Sequence, residues 1–410
     1  MHHCVSSVSV FGLFVVLLAA CAPRVATQSQ SPAATPGVEP PGHEAPSAGV
    51  PRNLRPGDIV EAKTGKVASF DTLMEELSHV EVIYAGETHI SIEDHRMQQQ
   101  ILKALQATNP STLLAMEMFP RETQPVLEAY SKGELSEAAF LKKVRWEKVW
   151  GYPFQLYSPL LTFARENRLR IIGLNAPPSV VRKIAQTGLS SLTPAERRRV
   201  AREFHLKDPK HRDYVREEFE LHLRNTIKDF ETFYEAQLAW EDTMAETLAR
   251  LVKSPANGQG THRQQILVLI GKGHISDQVG VPQLVSERVD YTFKTIIPIP
   301  VDETANGIDP DVGDYVWITE KSEPFHRGRM GLMIRSAKSG KGIEVTGVMP
   351  GGPAEKAGVQ KNDVIYSIDG APVNTIEDLH KAMAHETSEH TLVIRRKGRE
   401  ISVTVTVSPS

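Results

Sequence analysis

The chain has 410 residues, 40% of them hydrophobic and 24% charged, which is typical of a soluble globular protein and long enough for two domains. The net charge of −3 provides no basic surface, so we expect no nucleic-acid partner. The two cysteines, Cys4 and Cys21, stand near the N-terminus, so we expect the folded body to contain no disulfide, thiolate metal site or cysteine nucleophile.

An uncharged apolar run occupies residues 8–20. It is shorter than the roughly 20 residues of a membrane-spanning helix and has the length of a signal-peptide core. The letters LAAC that end it resemble the lipobox of bacterial lipoproteins, whose cysteine receives the lipid. Residues 1–21 are therefore predicted to be a lipoprotein signal peptide that ends in a lipidated (palmitate-bearing) Cys21. With Ala22 next, this places the protein in the bacterial cell envelope, lipid-anchored to the outer membrane and facing the periplasm.

Residues 22–53 are rich in Pro, Ala, Ser and Gly and are predicted to be a disordered tether. Beyond them, apolar runs alternate with helical patterns, which predicts an α/β fold with a mostly parallel sheet and flanking helices. The runs predicted as strands are 80–85, 112–116, 169–174, 266–270 and 293–299. Residues 60–69 are expected to add a hairpin, and residues 179–260 to form a helical insertion.

Polar side chains follow four of these strands where the chain leaves the buried run. They are Glu87 and His89 in GETH, then Glu117, then Asn175, and His274 in GKGH. Because ligands bind outside the carboxyl ends of parallel strands, we predict one shared site. His89, Glu117 and His274 suit a divalent metal such as zinc or manganese. The same residues suit general acid–base catalysis or a polar rim around a porphyrin.

The order of several motifs resembles that of the ChaN-like haem-binding lipoproteins, whose superfamily includes the Tiki metalloproteases and erythromycin esterases. The matching motifs are GETH with a following DH, EMF at 117–119, the aromatic stretch 146–157, LNAP at 174–177 and GKGH at 271–274. The resemblance covers the domain predicted at residues 54–305. It implies haem binding in iron uptake, with the iron held by a tyrosine and a nearby histidine.

Within the aromatic stretch, Tyr157 and Tyr152 are the candidate iron ligands, because phenolate is a known axial ligand of haem. The other predicted haem-binding residues are His89, His274, Glu87 and Glu117. A tyrosine-ligated haem shared between two subunits would make a homodimer.

Two functions stay open for this domain. In the first it binds haem and breaks no bond, which the aromatic stretch favours. In the second, Glu87, His89, Glu117 and His274 are the catalytic groups of a metal-dependent hydrolase or protease. The sequence therefore leaves open whether the protein is an enzyme.

Residues 326–410 resemble a PDZ domain and follow a predicted linker at 306–325. The letters GLMI at 331–334 resemble the loop that binds a peptide carboxylate, and KNDVIYSIDG resembles a conserved PDZ strand with Asn362 in place of the usual Gly. PDZ domains capture peptide C-termini by strand addition, and in the hydrolase alternative the domain would recruit substrate. The residues predicted to line the peptide site are Leu332, Met333, Ile334, Leu379 and Met383.

Overall fold

The structure is a computed structural model. It describes residues 53–205, 208–222, 229–254, 264–321, 330, 332–337, 341–348, 352–375, 378–379, 382–383 and 389–407. The predicted signal peptide, Cys21 and residues 22–52 of the tether lie outside the described residues. Contacts within the chain divide it into two compact units, residues 1–322 and 323–410, the second beginning close to the predicted domain start at 326.

An eight-stranded sheet forms the centre of the first unit. Its strands are β1 (Ile59–Glu61), β2 (Val67–Ala68), β3 (Val82–Glu87), β4 (Leu113–Pro120), β5 (Ile171–Asn175), β6 (Ile266–Gly271), β7 (Phe293–Pro300) and β8 (Tyr315–Thr319). Their order across the sheet is β2-β1-β8-β7-β3-β6-β4-β5. The strands from β8 to β5 pair in parallel, and β1 pairs antiparallel with β2 and β8. Both the mostly parallel sheet and the N-terminal hairpin are thus confirmed.

Every residue of β3, β4, β5 and β6 is buried, as expected for parallel strands covered on both faces. The helices are α1 (Phe70–Ser78), α2 (Ile92–Thr108), α3 (Gln124–Ser131), α4 (Glu137–Val144), α5 (Trp146–Val149), α6 (Phe154–Glu166), α7 (Pro178–Thr187), α8 (Pro194–Arg197), α9 (Pro209–His222), α10 (Phe230–Val252) and α11 (Val281–Ser286). Wherever the predicted insertion 179–260 is described, its regular structure is helical. No helix in the described parts of the chain is long and apolar enough to cross a membrane.

Strand β8 lies inside residues 306–325, which the sequence predicted to be a linker, and for this strand the prediction was wrong. All five residues of β8 are buried. They pair in parallel with β7 from Ile296 opposite Tyr315 to Pro300 opposite Thr319, and antiparallel with β1. A short apolar run gains most of its stability from neighbours on both sides, so its sequence alone did not distinguish it from a linker.

The second unit is an antiparallel sheet with the short helix α12, and Asp378, Leu379 and Ala382 are helical as well. Its elements are β9 (Leu332–Ser336), β10 (Ile343–Val348), α12 (Pro353–Lys356), β11 (Val364–Ile368), β12 (Ala371–Pro372), β13 (Glu389–Arg396) and β14 (Arg399–Thr406). The order is β14-β13-β11-β10-β9, with β12 beside β11. Among the described strands, β9 is therefore at an edge. Alternating buried side chains, such as Ile343 and Val345 of β10, form the core on one face.

Candidate functional site

The predicted strand-end residues come together in the fold. Strands β3, β6, β4 and β5 are consecutive neighbours, and Glu87 at the end of β3 is in register with Gly271 at the end of β6. Glu117 lies within β4, and its backbone oxygen accepts a hydrogen bond from Nδ2 of Asn175 at 3.0 Å. Glu87, His89, Glu117 and His274 are all buried. One polar cluster thus lies at the carboxyl edge of the sheet.

The carboxylate of Glu87 is enclosed by partners. Its Oε1 lies 2.8 Å from Nδ1 of His89 and accepts a hydrogen bond from the Tyr157 hydroxyl at 2.7 Å. Its Oε2 accepts one from Nε2 of Gln98 at 2.9 Å and lies 3.6 Å from Nδ1 of His95. Burial raises the pKa of Glu87, but the facing His95 and His89 outweigh this and lower the pKa to about 2. The group is an ionised, weak proton acceptor, which does not favour a general-base role.

Local sequence explains why His89 turns back toward this carboxylate. Ser91 caps helix α2, and the buried Asp94 accepts hydrogen bonds from the backbone N–H of Thr88 and the Ser91 hydroxyl, each at 2.7 Å. These bonds fix the turn that carries His89. A Cβ on Gly271 would lie 2.9 Å from Cε1 of His89, so glycine at the end of β6 allows the imidazole to pack there.

A second cluster surrounds His274. Its Nδ1 lies 2.9 Å from Oε1 of Glu241, and its Nε2 lies 3.4 Å from Oε1 of Glu117. The second oxygen of Glu241 lies 2.9 Å from Nε2 of His211 on α9. Burial lowers the pKa of His274, but the carboxylates of Glu117 and Glu241 raise it well above its ordinary value. His274 therefore lies between two carboxylates, both of which favour its protonated form.

The predicted metal set of His89, Glu117 and His274 is not arranged as a metal site. In the part of the chain that the structure describes, no group of three or more His, Cys, Asp or Glu side chains has a metal-binding arrangement. Instead the acids and histidines pair directly with one another.

The two candidate tyrosines are buried beside the Glu87 cluster. Tyr157 on α6 is 0% exposed, and burial together with the nearby Glu87 raises the pKa of its phenol well above the ordinary value. The Tyr152 ring packs 4.9 Å from that of His89 and 5.4 Å from that of Trp150. Iron ligation by Tyr157 remains a prediction, but it would require the phenol to lose its proton and leave Glu87.

A small groove of about 40 Å³ opens at the same edge of the sheet. Met118, Trp150 and Trp240 contribute apolar walls, and Lys148 and Arg182 contribute two cations. The Trp150 ring lies 4.8 Å from that of His89, and the Trp240 ring lies 6.1 Å from that of His274. The groove therefore shares its two aromatic walls with the buried polar clusters.

Several residues of these clusters were missed at the sequence level, namely Gln98, Trp150, His211, Trp240 and Glu241. Gln98 is the most recoverable, because it lies one helical turn after His95 on the buried face of α2. Glu241 is one of two adjacent acids, with Asp242, among the buried residues of α10, which is a weaker signal. Nothing local distinguishes His211 from a surface histidine, since it lies in a strongly charged helix.

The family of the first unit follows from a comparison of the sequence with known families. The model described as "Haem-binding uptake, Tiki superfamily, ChaN" matches residues 73–285, which is just over half of the chain. The chain belongs to this ChaN family. A PDZ family model matches residues 344–396, within the second unit. The chain thus joins a haem-binding ChaN-family domain to a PDZ domain, as the sequence predicted.

Individual relatives are distant. A solved structure of Campylobacter jejuni ChaN, described as showing cofacial haem binding, is 20% identical, covers 63% of this chain and 95% of its own, and superposes with a TM-score of 0.49. Protein RETICULATA-RELATED 5, chloroplastic, of Arabidopsis thaliana is 21% identical over 59% of this chain and 34% of its own length. Serine protease HTRA1 of Xenopus tropicalis is 38% identical over 16% of this chain. The chain spans only 14% of HTRA1, so that likeness is confined to one module.

The predicted peptide-binding residues of the PDZ domain are partly described. Leu332 and Ile334 lie on the edge strand β9 and are half-buried against the domain core, as is Met383. Leu379 is buried in the same core. Gly331 and the side chain of Met333 lie outside the described residues. The edge strand and its apolar neighbours suit the addition of an extended peptide.

Proposed function

We propose that the ChaN-family domain of this chain binds haem over the small groove at the carboxyl edge of its sheet. One observation carries the proposal. This chain belongs to the ChaN family, and at the carboxyl edge of its sheet it has a groove lined by two tryptophans and two cationic side chains. Haem is a flat apolar macrocycle with two carboxylates, so Trp150 and Trp240 would contact its faces, and Lys148 and Arg182 would pair with its propionates. Bound haem supplies an iron centre whose properties depend on its axial ligand.

The direct pairing of the acids with histidines supports binding rather than hydrolysis. Glu87 and Glu241 each accept contacts on both carboxylate oxygens from buried partners. Buried charges with partners on both oxygens restrict the motion of the residues next to the groove. A general base must instead reach the proton that it removes.

Haemin titration of the full chain carrying Cys21→Ser, followed by the Soret band, tests the haem site. We expect saturable binding that Lys148→Glu and Arg182→Glu each weaken about tenfold, because each removes one charge-assisted contact. Lys143→Glu on α4 is the matched control, since Lys143 is exposed and does not line the groove. If haemin shows no Soret shift with the chain that carries only Cys21→Ser, haem binding is contradicted. Equal affinity in all variants would contradict this location.

Two further parts of the proposal concern where the protein acts and what it captures. A lipid on Cys21 would hold it at the outer membrane of a bacterial envelope, facing the periplasm, where it would serve haem uptake. Palmitate labelling that persists in Cys21→Ser would disprove this anchor. The PDZ domain would bind apolar peptide C-termini beside β9. A panel of fluorescent peptides tests this, because binding must be lost when the same peptide carries a C-terminal amide.

A further inference from the structure

A line of alternating acids and histidines connects the helical insertion to the carboxyl edge of the sheet, beside the groove. It runs from His211 on α9 through Glu241 on α10 to His274 and then to Glu117 on β4. The first two steps are 2.9 Å and the last is 3.4 Å. All four side chains are at most 6% exposed. Water therefore cannot replace any one of these partners without a change in packing.

The line fixes which way His274 faces. Because Nδ1 of His274 is paired with Glu241, only Nε2 is directed toward Glu117 and the strand ends. Gln237, one turn before Glu241, donates a hydrogen bond to the same Glu241 oxygen at 2.9 Å. The other oxygen of Glu241 lies 2.9 Å from Nε2 of His211, a close approach without hydrogen-bond geometry, so both helices contact this one carboxylate.

The same helix carries a wall of the groove. Trp240 precedes Glu241 on α10, lines the groove, and has a buried indole N–H without a hydrogen-bond partner among the described residues. Its ring is tilted by 31° to that of His274. A shift of Glu241 would therefore move both the histidine and the aromatic wall.

We propose that His211 and Glu241 are positioning residues that hold His274 and Trp240 beside the groove, so that helix α9 of the insertion sets the affinity for haem. The part of this inference that concerns haem affinity rests on the proposed haem site. The part that concerns the positioning of His274 by His211 does not. A second contact between the same helices provides a comparison. Arg212 on α9 pairs with Glu231 on α10, both partly exposed, and this pair does not continue to His274.

The test uses the full Cys21→Ser chain and three variants. His211→Leu removes the ring nitrogen that faces Glu241, His211→Gln keeps an N–H group where Nε2 stood, and Glu231→Gln neutralises the outer pair while leaving Arg212 on the rings of Phe230 and Tyr234. Ring ¹⁵N signals of His274 report its tautomer and environment, and haemin titration reports affinity. We expect His211→Leu to shift the His274 signals and to weaken haemin binding about tenfold. His211→Gln and Glu231→Gln should leave both close to the wild type.

Unchanged His274 signals in His211→Leu would overturn the inference, as would an equal effect of Glu231→Gln. Should His211→Leu not fold, Glu241→Gln, which keeps the shape and removes the charge, is read in the same way. If the wild-type chain binds no haemin, the proposed function fails. The His274 signals then still decide whether His211 positions this residue.

Discussion

The hydroxyl of Tyr157 donates a hydrogen bond of 2.7 Å to Oε1 of Glu87, 70 residues earlier in the chain. Through this contact Tyr157 helps to stabilise a buried carboxylate at the end of β3. Iron ligation by Tyr157 would have to break this contact, because a phenol that donates to Glu87 keeps its proton.

Replacement of Tyr157 by phenylalanine should therefore destabilise the ChaN-family domain without removing the haem spectrum. We expect a loss of about 1–1.5 kcal/mol in the free energy of unfolding, as for one buried hydrogen bond. Tryptophan fluorescence in urea measures it, since all four tryptophans lie in the first unit. Tyr152→Phe is the companion variant. A Soret band lost in Tyr157→Phe alone would show that Tyr157 ligates the iron after all.

Stability of the first unit should fall in acid through Glu87. The pKa of Glu87 is lowered from 4.5 to about 2, so its stabilisation is complete above pH 4.5 and is lost as the pH falls from 4.5 to about 2. The size is on the order of 3 kcal/mol, from roughly 1.4 kcal/mol for each pKa unit. Urea unfolding between pH 2 and 7 measures this. Glu87→Gln should flatten that part of the profile, and an unchanged slope would contradict the assignment.

Asp242 on α10 should have the opposite effect from Glu87 on how the stability of the first unit changes with pH. Burial raises its pKa from 3.8 to about 6, against the lowering effect of Arg288. Because the folded-state pKa is raised, the charged form costs stability at pH 7, and that cost is relieved as the pH falls from about 6 toward 3.8. Infrared titration of the carboxyl band, compared with Asp242→Asn, checks this. The band of Asp242 is the one that disappears in Asp242→Asn. If that band titrates with a midpoint below pH 4 in the unmutated chain, the prediction is wrong.

Alanine at Gly271 should disturb the site directly. The new Cβ would lie 2.9 Å from Cε1 of His89, so the imidazole must shift away from Glu87. We expect a loss of about 1–3 kcal/mol, the usual cost of overpacking a core. Gly57→Ala is the control for glycine replacement as such, because nothing lies within 4 Å of its added Cβ. Its only expected cost is backbone strain at a φ of 93°. His89 ring signals should move in Gly271→Ala and not in Gly57→Ala.

Asn362 offers a stabilising change in the PDZ domain. Its φ of 74° is left-handed, a conformation that glycine adopts without the strain of a Cβ. Asn362→Gly should raise the stability of this domain by about 0.5–1 kcal/mol, seen as slower amide hydrogen exchange in β11. Asn374→Gly, at a position without positive φ, should give no gain. Equal protection in the two variants would argue against strain at Asn362.

The amino-acid sequence by itself determined the modules and the location of the site. Strand runs and Gly-x-x-His motifs are local features, so they predicted five parallel strands and polar residues at four carboxyl ends. Those ends became neighbours because parallel strands place all their ends at one edge. Even Gln98 was within reach of the helical pattern of α2.

Only the tertiary structure decided how those groups pair. The bond from Tyr157 to Glu87 and the line from His211 to His274 depend on how α6, α9 and α10 pack on the sheet, and no local pattern encodes that rotation. The same holds for β8, whose five residues became a strand because β7 and β1 lie on either side. Side-chain partners distant in sequence are selected by packing, and packing decided here which charges are compensated and which surface is left as a groove.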